Sequence, residues 1–326
     1  MVLVTGASGF LGQHLLQRLV AEHVPVKALY HSNAPDESQL SLPNVSWMQC
    51  DLLDIFQVEK AFENITEVYH CAAKVSFESA DKYWIQKINA DSTSNVVNAA
   101  LEAGIRKLIF VSSIATLGRG NLDKALTEDD FWEESNNNTA YARSKYLSEM
   151  EVWRAIAEGL NAVIVNPAII LGAGKWEVGS AKLMKVANSE FPFYTEGVNG
   201  WVDVKDVAKA MVLLMKSEIS EERFILSEGN HSYKEIFTLM ANALGKKPPH
   251  IKAPDFATAL LWRWNTIRKM FTGQSATLTK ETTRTAKMKC YYNNEKLLRA
   301  LPDFHYTAIE ETINGMGKSF RNSCDN

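Results

Sequence analysis

A chain of 326 residues, long enough to bury a substantial core as one large domain or two fused layers, carries 35 basic and 38 acidic side chains for a formal net charge of −3. Its charges are interspersed, which speaks against a nucleic-acid surface, and no apolar run nears the roughly 20 residues needed to span a bilayer. The cysteines Cys50, Cys71, Cys290 and Cys324 lack metal-ligand or disulfide spacing and read as reduced thiols; with no basic-then-apolar leader before the first strand, a cytoplasmic protein is expected.

Met1 to Val4 is a short apolar strand, followed by Thr5-Gly6-Ala7-Ser8-Gly9-Phe10-Leu11-Gly12 and an amphipathic run from Gln13 to Glu22. Strand, glycine turn and helix together make a dinucleotide site. The first glycine permits the tight turn, the second lets backbone approach a pyrophosphate, and the third lets helix pack on strand. The helix then offers free N–H groups and the positive end of its dipole to phosphate. The glycine spacing is three and three, which departs from the ordinary Rossmann fingerprint. The second strand, Val26 to His31, ends without the acidic residue that would bind a free adenosine 2′-hydroxyl.

Strands alternate with helices from Met1 to about Val165, which predicts a doubly wound parallel α/β sheet of Rossmann type, covered on both faces. A long helix is expected around Trp84 to Ala103, beside a second one over Thr139 to Glu158 with Thr139 as its N-cap. That second helix carries Tyr141-Ala142-Arg143-Ser144-Lys145. At i and i+4, Tyr141 and Lys145 leave it on the same side. A free phenol titrates near pH ~10, and a fixed ammonium close by favours the phenolate. After Asn166 the alternation becomes irregular. A smaller, discontinuous substrate domain is expected from residues 168–199 and 228–326, with 1–167 and 200–227 forming the dinucleotide domain. A helical stripe from Phe256 to Phe271 gathers apolar side chains on one side and leaves Trp262 opposite them.

Together these motifs resemble the extended short-chain dehydrogenase/reductase superfamily, also described as NAD-dependent epimerase/dehydratases, over most of the chain. The resemblance makes Val45 to Asp51 the third strand, ending in the Asp51-Leu52 pair that borders an adenine. It makes Val68-Tyr69-His70-Cys71-Ala72-Ala73 the fourth strand and Lys107 to Ser113 the fifth, while Asn166-Pro167-Ala168 and Trp201 to Val207 match two later landmarks. It implies a catalytic trio of Ser113, Tyr141 and Lys145, with Ser112 the competing choice for the serine. Implied cofactor contacts are Gly6, Ser8, Gly9, Phe10, Leu11 and Gly12, then His31, Asp51 and Leu52. Ala72, Ala73 and Lys74 follow, with Tyr141, Lys145, Pro167, Ala168 and Ile169. Implied substrate contacts are Ser76, Thr116 and Trp201. Relatives that use NADP often carry arginine where His31 stands; His31, Ser32 and Asn33 can donate hydrogen bonds to a 2′-phosphate, so NADP(H) is favoured over NAD(H).

Nucleotide-sugar dehydratases follow the catalytic residue with Asp-Glu, whereas Ile114-Ala115 follow it here. Epimerases carry Arg-Asp ahead of the Val-Asp-Val segment, where this chain has Asn199-Gly200-Trp201. Lys74-Val75-Ser76-Phe77 and Val202-Asp203-Val204 look more like the dihydroflavonol-reductase and 3β-hydroxysteroid-dehydrogenase-like branch, which implies hydride transfer to or from a small, often hydrophobic carbonyl or alcohol. Phe131, Trp132, Trp176, Phe193, Trp201 and the stripe near Trp264 would wall such a pocket, or else pack the core. Gly118 replaces an asparagine that reads flavonoid rings, which argues against that substrate. An epimerase with tightly bound NAD and a non-enzymatic NADP-binding sensor stay open as alternatives. A homodimer through the two long helices is implied by the resemblance.

Overall fold

The computed structural model describes residues 1–75, 82–118, 124–135, 138–254 and 284–324. The candidate Ser76 and the stripe from Phe256 to Phe271, with Trp262, lie outside them. In the first half, strands and helices alternate as β1 (Val2–Thr5), α1 (Phe10–Ala21), β2 (Val26–Tyr30), α2 (Glu37–Leu40), β3 (Val45–Gln49), α3 (Ile55–Ala61), β4 (Glu67–His70), α4 (Lys82–Glu102), β5 (Lys107–Val111), α5 (Ala140–Ala157) and β6 (Ala162–Pro167). There follow β7 (Ile169–Leu171), α6 (Lys182–Asn188), β8 (Phe193–Tyr194), β9 (Val198–Asp203), α7 (Val204–Lys216), β10 (Glu222–Leu226), β11 (Gly229–Ser232), α8 (Tyr233–Leu244) and β12 (Ile251–Lys252). Helices α9 (Glu295–Ala300) and α10 (Ile309–Cys324) come last.

Seven parallel strands form one sheet in the order β10-β6-β5-β4-β1-β2-β3. Alternation along its strands feeds two cores. Val2, Val4, Ala28, Ile109 and Val163 pack with α1 and α7 on one face, while Leu3, Leu29, Val68, Leu108 and Ile164 pack with α3, α4 and α5 on the other. Lys107, buried at the start of β5, donates to the carbonyls of Leu214 at 2.8 Å and Ser217 at 2.9 Å, tying the end of α7 to the sheet. A third core, with Trp176, Trp201, Ile236, Ile313 and Phe320, gathers α6, α8 and α10 over a small sheet ordered β11-β9-β7.

The order of strands reverses at β1: β2 and β3 lie on one side of it and β4, β5, β6 and β10 on the other. A crevice therefore opens at the carboxyl ends of β1 and β4, where open sheets of this kind take their ligands. Within the 200–227 segment, α7 packs beside α1 and β10 is the sheet's edge strand, while β9 belongs to the small sheet.

Candidate active site

The glycine turn closes directly under that crevice. Gly6 sits at φ +66°, and a Cβ there would lie 2.7 Å from the Ala72 amide nitrogen after β4. Gly12 falls inside α1, where a Cβ would come within 2.3 Å of the Gly6 carbonyl oxygen. Helix α1 starts at Gly9 with no side-chain cap, whereas Asp36, Asp54, Thr139, Asp203 and Ser232 cap α2, α3, α5, α7 and α8. Its first N–H groups are thus left for a ligand. Gly172 and Gly174, in the loop after β7, approach the Phe10 ring.

His31 follows β2 and Asp51 follows β3, both at the same end of the sheet; His31 Nε2 stands 3.9 Å from Asp51 Oδ2. Leu52 is half-buried beside them. Ala72 is half-buried and Ala73 and Lys74 are exposed after β4, while Pro167 and Ala168 are buried and Ile169 half-buried after β6. Every described cofactor candidate therefore lies on the loops and strand ends that edge the crevice, or on α1 and α5 next to it.

Ser113 follows β5 and opens a 3₁₀ turn, its Oγ accepting from the Ala115 N–H at 3.1 Å. Thr139 caps α5 by accepting from the Ala142 N–H at 3.0 Å, which sets Tyr141 in the first turn. Tyr141 and Ser113 are joined by a side-chain hydrogen bond. Burial pushes the phenol above its ordinary range, and the Ser113 bond offsets only part of that. Lys145 is 3% exposed. Its Nζ donates to the Val111 carbonyl at 2.6 Å and stands 4.8 Å from the Phe110 ring centre. Burial lowers its pKa to about 8, against the opposing pull of Glu149 and Cys71.

Two of the substrate candidates sit elsewhere than a pocket wall. Trp201 has no accessible surface: it packs the third core, edge-on to Tyr233, with its indole N–H donating to the His231 carbonyl at 3.0 Å. Thr116 is buried with its Oγ1 2.9 Å from the Ser113 carbonyl and 2.9 Å from Glu149 Oε2. Trp176 packs against Phe320 in the third core, Trp132 stacks on Tyr146, and Phe131 is exposed.

Asn89 and Glu149 escaped the sequence reading. The Asn89 side chain accepts from the Lys74 N–H at 2.8 Å and donates to the Lys74 carbonyl and to Ser144 Oγ, both at 3.0 Å, so it pins the loop after β4 against α5. Next to it, the buried His70 has its pKa lowered to about 3 by burial and, secondarily, by Lys145. The Thr93 hydroxyl donates to the Asn89 carbonyl at 2.8 Å, so His70 Nε2–H must donate to Thr93 at 3.2 Å. Nδ1 is then bare and accepts from the Thr5 hydroxyl at 2.7 Å, while Thr5 accepts from the Ala72 N–H at 3.2 Å. Glu149 was visible as a third polar residue on the stripe through Tyr141 and Lys145, a charge on the helix's buried face.

A model of the NAD dependent epimerase/dehydratase family matches residues 2–226. "Sterol demethylase protein B" of Methylococcus capsulatus (strain ATCC 33009 / NCIMB 11132 / Bath) is 28% identical, over 77% of this chain and 77% of that protein. "Cinnamoyl-CoA reductase 1" of Petunia hybrida is 25% identical, over 78% of this chain and 80% of that one. The fold is also that of the Thermus thermophilus UDP-glucose 4-epimerase crystallised with NAD, with a TM-score of 0.78 at 22% identity, covering 99% of both chains.

Proposed function

The chain belongs to the NAD dependent epimerase/dehydratase family, within the extended short-chain dehydrogenase/reductase superfamily, and from its site we propose an NAD(P)-dependent oxidoreductase acting on a carbonyl or alcohol of a small apolar substrate. The observation that carries this reading is the Ser113–Tyr141 hydrogen bond with the buried Lys145 ammonium one helical turn on, at the edge of the crevice. The uncapped start of α1, and a turn packed so closely on itself and on the loop after β4 that Gly6 and Gly12 can carry no side chain, fit a dinucleotide. Backbone N–H groups of Phe10, Leu11 and Gly12 would hold its pyrophosphate, Asp51 and Leu52 its adenine, and Lys145 its nicotinamide ribose. When bound, the nicotinamide supplies or accepts the hydride.

Tyr141 gives its proton to the substrate oxygen in reduction and takes one back in oxidation, while Ser113 donates to the same oxygen and orients it. A phenol pushed up by burial keeps its proton at neutral pH, the state needed to act as the acid. The Lys145 ammonium then favours the phenolate left behind, up to the pH near 8 at which it loses its own charge. With no carboxylate at the end of β2, His31 is the residue that would take a 2′-phosphate, which favours NADP(H). Sterol in one relative's name and the cinnamoyl group of a CoA thioester in another's support an apolar reacting end. A cytoplasmic homodimer through α4 and α5, which leave Tyr83, Trp84 and Met150 exposed, and the two-domain division at residues 167, 199 and 227 complete the proposal.

The test is titration of the purified protein with NADPH and NADH, then NADPH oxidation against apolar aldehydes and ketones. Turnover is expected, and Tyr141→Phe should remove it by more than about a hundredfold with cofactor affinity nearly unchanged. Retained activity would take Tyr141 out of the acid/base role. Copurified NAD, no carbonyl turnover and binding of UDP-sugars would replace the reading with the epimerase one.

A further inference from the structure

Glu149 is 1% exposed, two turns along α5 from Tyr141. Its Oε2 lies 2.5 Å from Ser112 Oγ, 2.9 Å from Thr116 Oγ1 and 3.0 Å from Asn166 Nδ2. Its Oε1 accepts from Arg223 Nη1 at 3.0 Å and Trp153 Nε1 at 3.4 Å. A buried carboxylate is tolerated only when donors such as these satisfy it. These donors are not scattered. Ser112 and Thr116 flank Ser113, and the Asn166 amide that meets Glu149 also donates to the Ser113 carbonyl at 3.1 Å. The carboxylate thus grips both sides of the turn that presents Ser113 to Tyr141.

The same carboxylate acts on Lys145, one turn away on α5. The titratable groups around Lys145 are Tyr141 and Glu149, one turn to either side on its own helix, and His70 and Cys71 from the end of β4. Of the influences that hold the ammonium's pKa up against burial, Glu149 is the larger. The groups facing Glu149 are Lys145 and, from β10, Arg223, which also donates to the carbonyls of Glu128 at 2.7 Å and Asp130 at 3.0 Å. A carboxylate serving only to bridge α5 to β10 would need Arg223 alone.

We propose that Glu149 is a positioning residue for the reaction, holding the Ser113 turn and supplying the counter-charge of the Lys145 ammonium. This rests on the reading of Ser113, Tyr141 and Lys145 given above. The experiment compares wild type, Glu149→Gln and Arg223→Met by the pH profile of kcat and by an NMR titration of Lys145 in the full chain without substrate. In Glu149→Gln the Lys145 midpoint and the alkaline limb of kcat should both move down by about one pH unit, with kcat at pH 8 falling about fivefold. In Arg223→Met the carboxylate keeps its charge and Lys145 becomes its remaining cation, so the Lys145 midpoint should rise.

A Glu149→Gln protein that loses stability and activity with both midpoints unmoved has lost a bridge only, and the proposal falls. Should Glu149→Gln fail to fold, Arg223→Met decides: a Lys145 midpoint that stays or drops overturns the proposal. If Tyr141→Phe keeps its activity while Glu149→Gln still moves the Lys145 midpoint, the acid/base reading fails and the counter-charge stands.

Discussion

His70 and His231 carry the same ring into opposite surroundings. His70 lies between two hydroxyls in the core, and burial lowers its pKa from 6.5 to about 3. His231 is held between Glu228 and Glu235, each at 2.9 Å, and the Glu228 bond leads the rise in its pKa to about 9. In the window between 3 and 6.5 the unfolded chain binds a proton at His70 that the fold refuses, so stability is lost as pH falls through it. His231 contributes stability that is whole below 6.5 and lost as pH rises through 9. In urea unfolding we therefore expect His70→Met to flatten the loss of midpoint between pH 7 and 5. His231→Asn should lower the midpoint at pH 6 and lose that effect above pH 9. A His231→Asn effect of equal size at pH 6 and pH 10 would rule out the charged clamp. The Tyr141–Lys145 pair was legible in sequence because a helix turns spacing into adjacency. Asn89 was not, since Ser144, its partner on α5, is 55 positions away and nothing local marks the contact.

Helix starts are where the elements differ most. Five helices spend a side chain on their first turn, whereas α1, α6 and α9 spend none, and of these three α1 alone starts at the crevice. Thr139→Ala should cost about 1 kcal/mol in thermal or chemical unfolding, the usual worth of an N-cap. Gly12→Ala is a different matter, because its Cβ would meet the Gly6 carbonyl oxygen at 2.3 Å. Backbone must shift, so Tm should fall and NADPH affinity drop together; a variant that binds NADPH as wild type does would disprove the packing role of this glycine. The first strand, glycine turn and helix could be read from sequence because their chemistry is contiguous. Trp201 could not. Strand β9 is paired on both edges and buried at five of its six positions, so no alternation told a core face from a pocket face.

Across the molecule, the sheet's two faces followed from alternating strands and helices, but the third core did not. It joins α6 and α8 to α10, more than 60 residues further along the chain. Ile313→Ala, at a fully buried position in that core, should cost about 2–4 kcal/mol, with cofactor affinity little changed because the crevice is built on the other two. The hydrogen-bonded run from Ala72 through Thr5, His70 and Thr93 to Asn89 has a further property: it is polar from end to end. Each member passes its hydrogen the same way, and neither threonine hydroxyl has one to spare. No link can be reversed alone, for reversal would set two donors or two lone pairs face to face in a buried site. Thr5→Val and Thr93→Val should accordingly be non-additive in a double-mutant cycle, the second costing less once the first has broken the sequence. The glycine turn and α4 are thus joined by a hydrogen-bonded chain with one sense, and its orientation is fixed the moment β1, β4 and α4 come together.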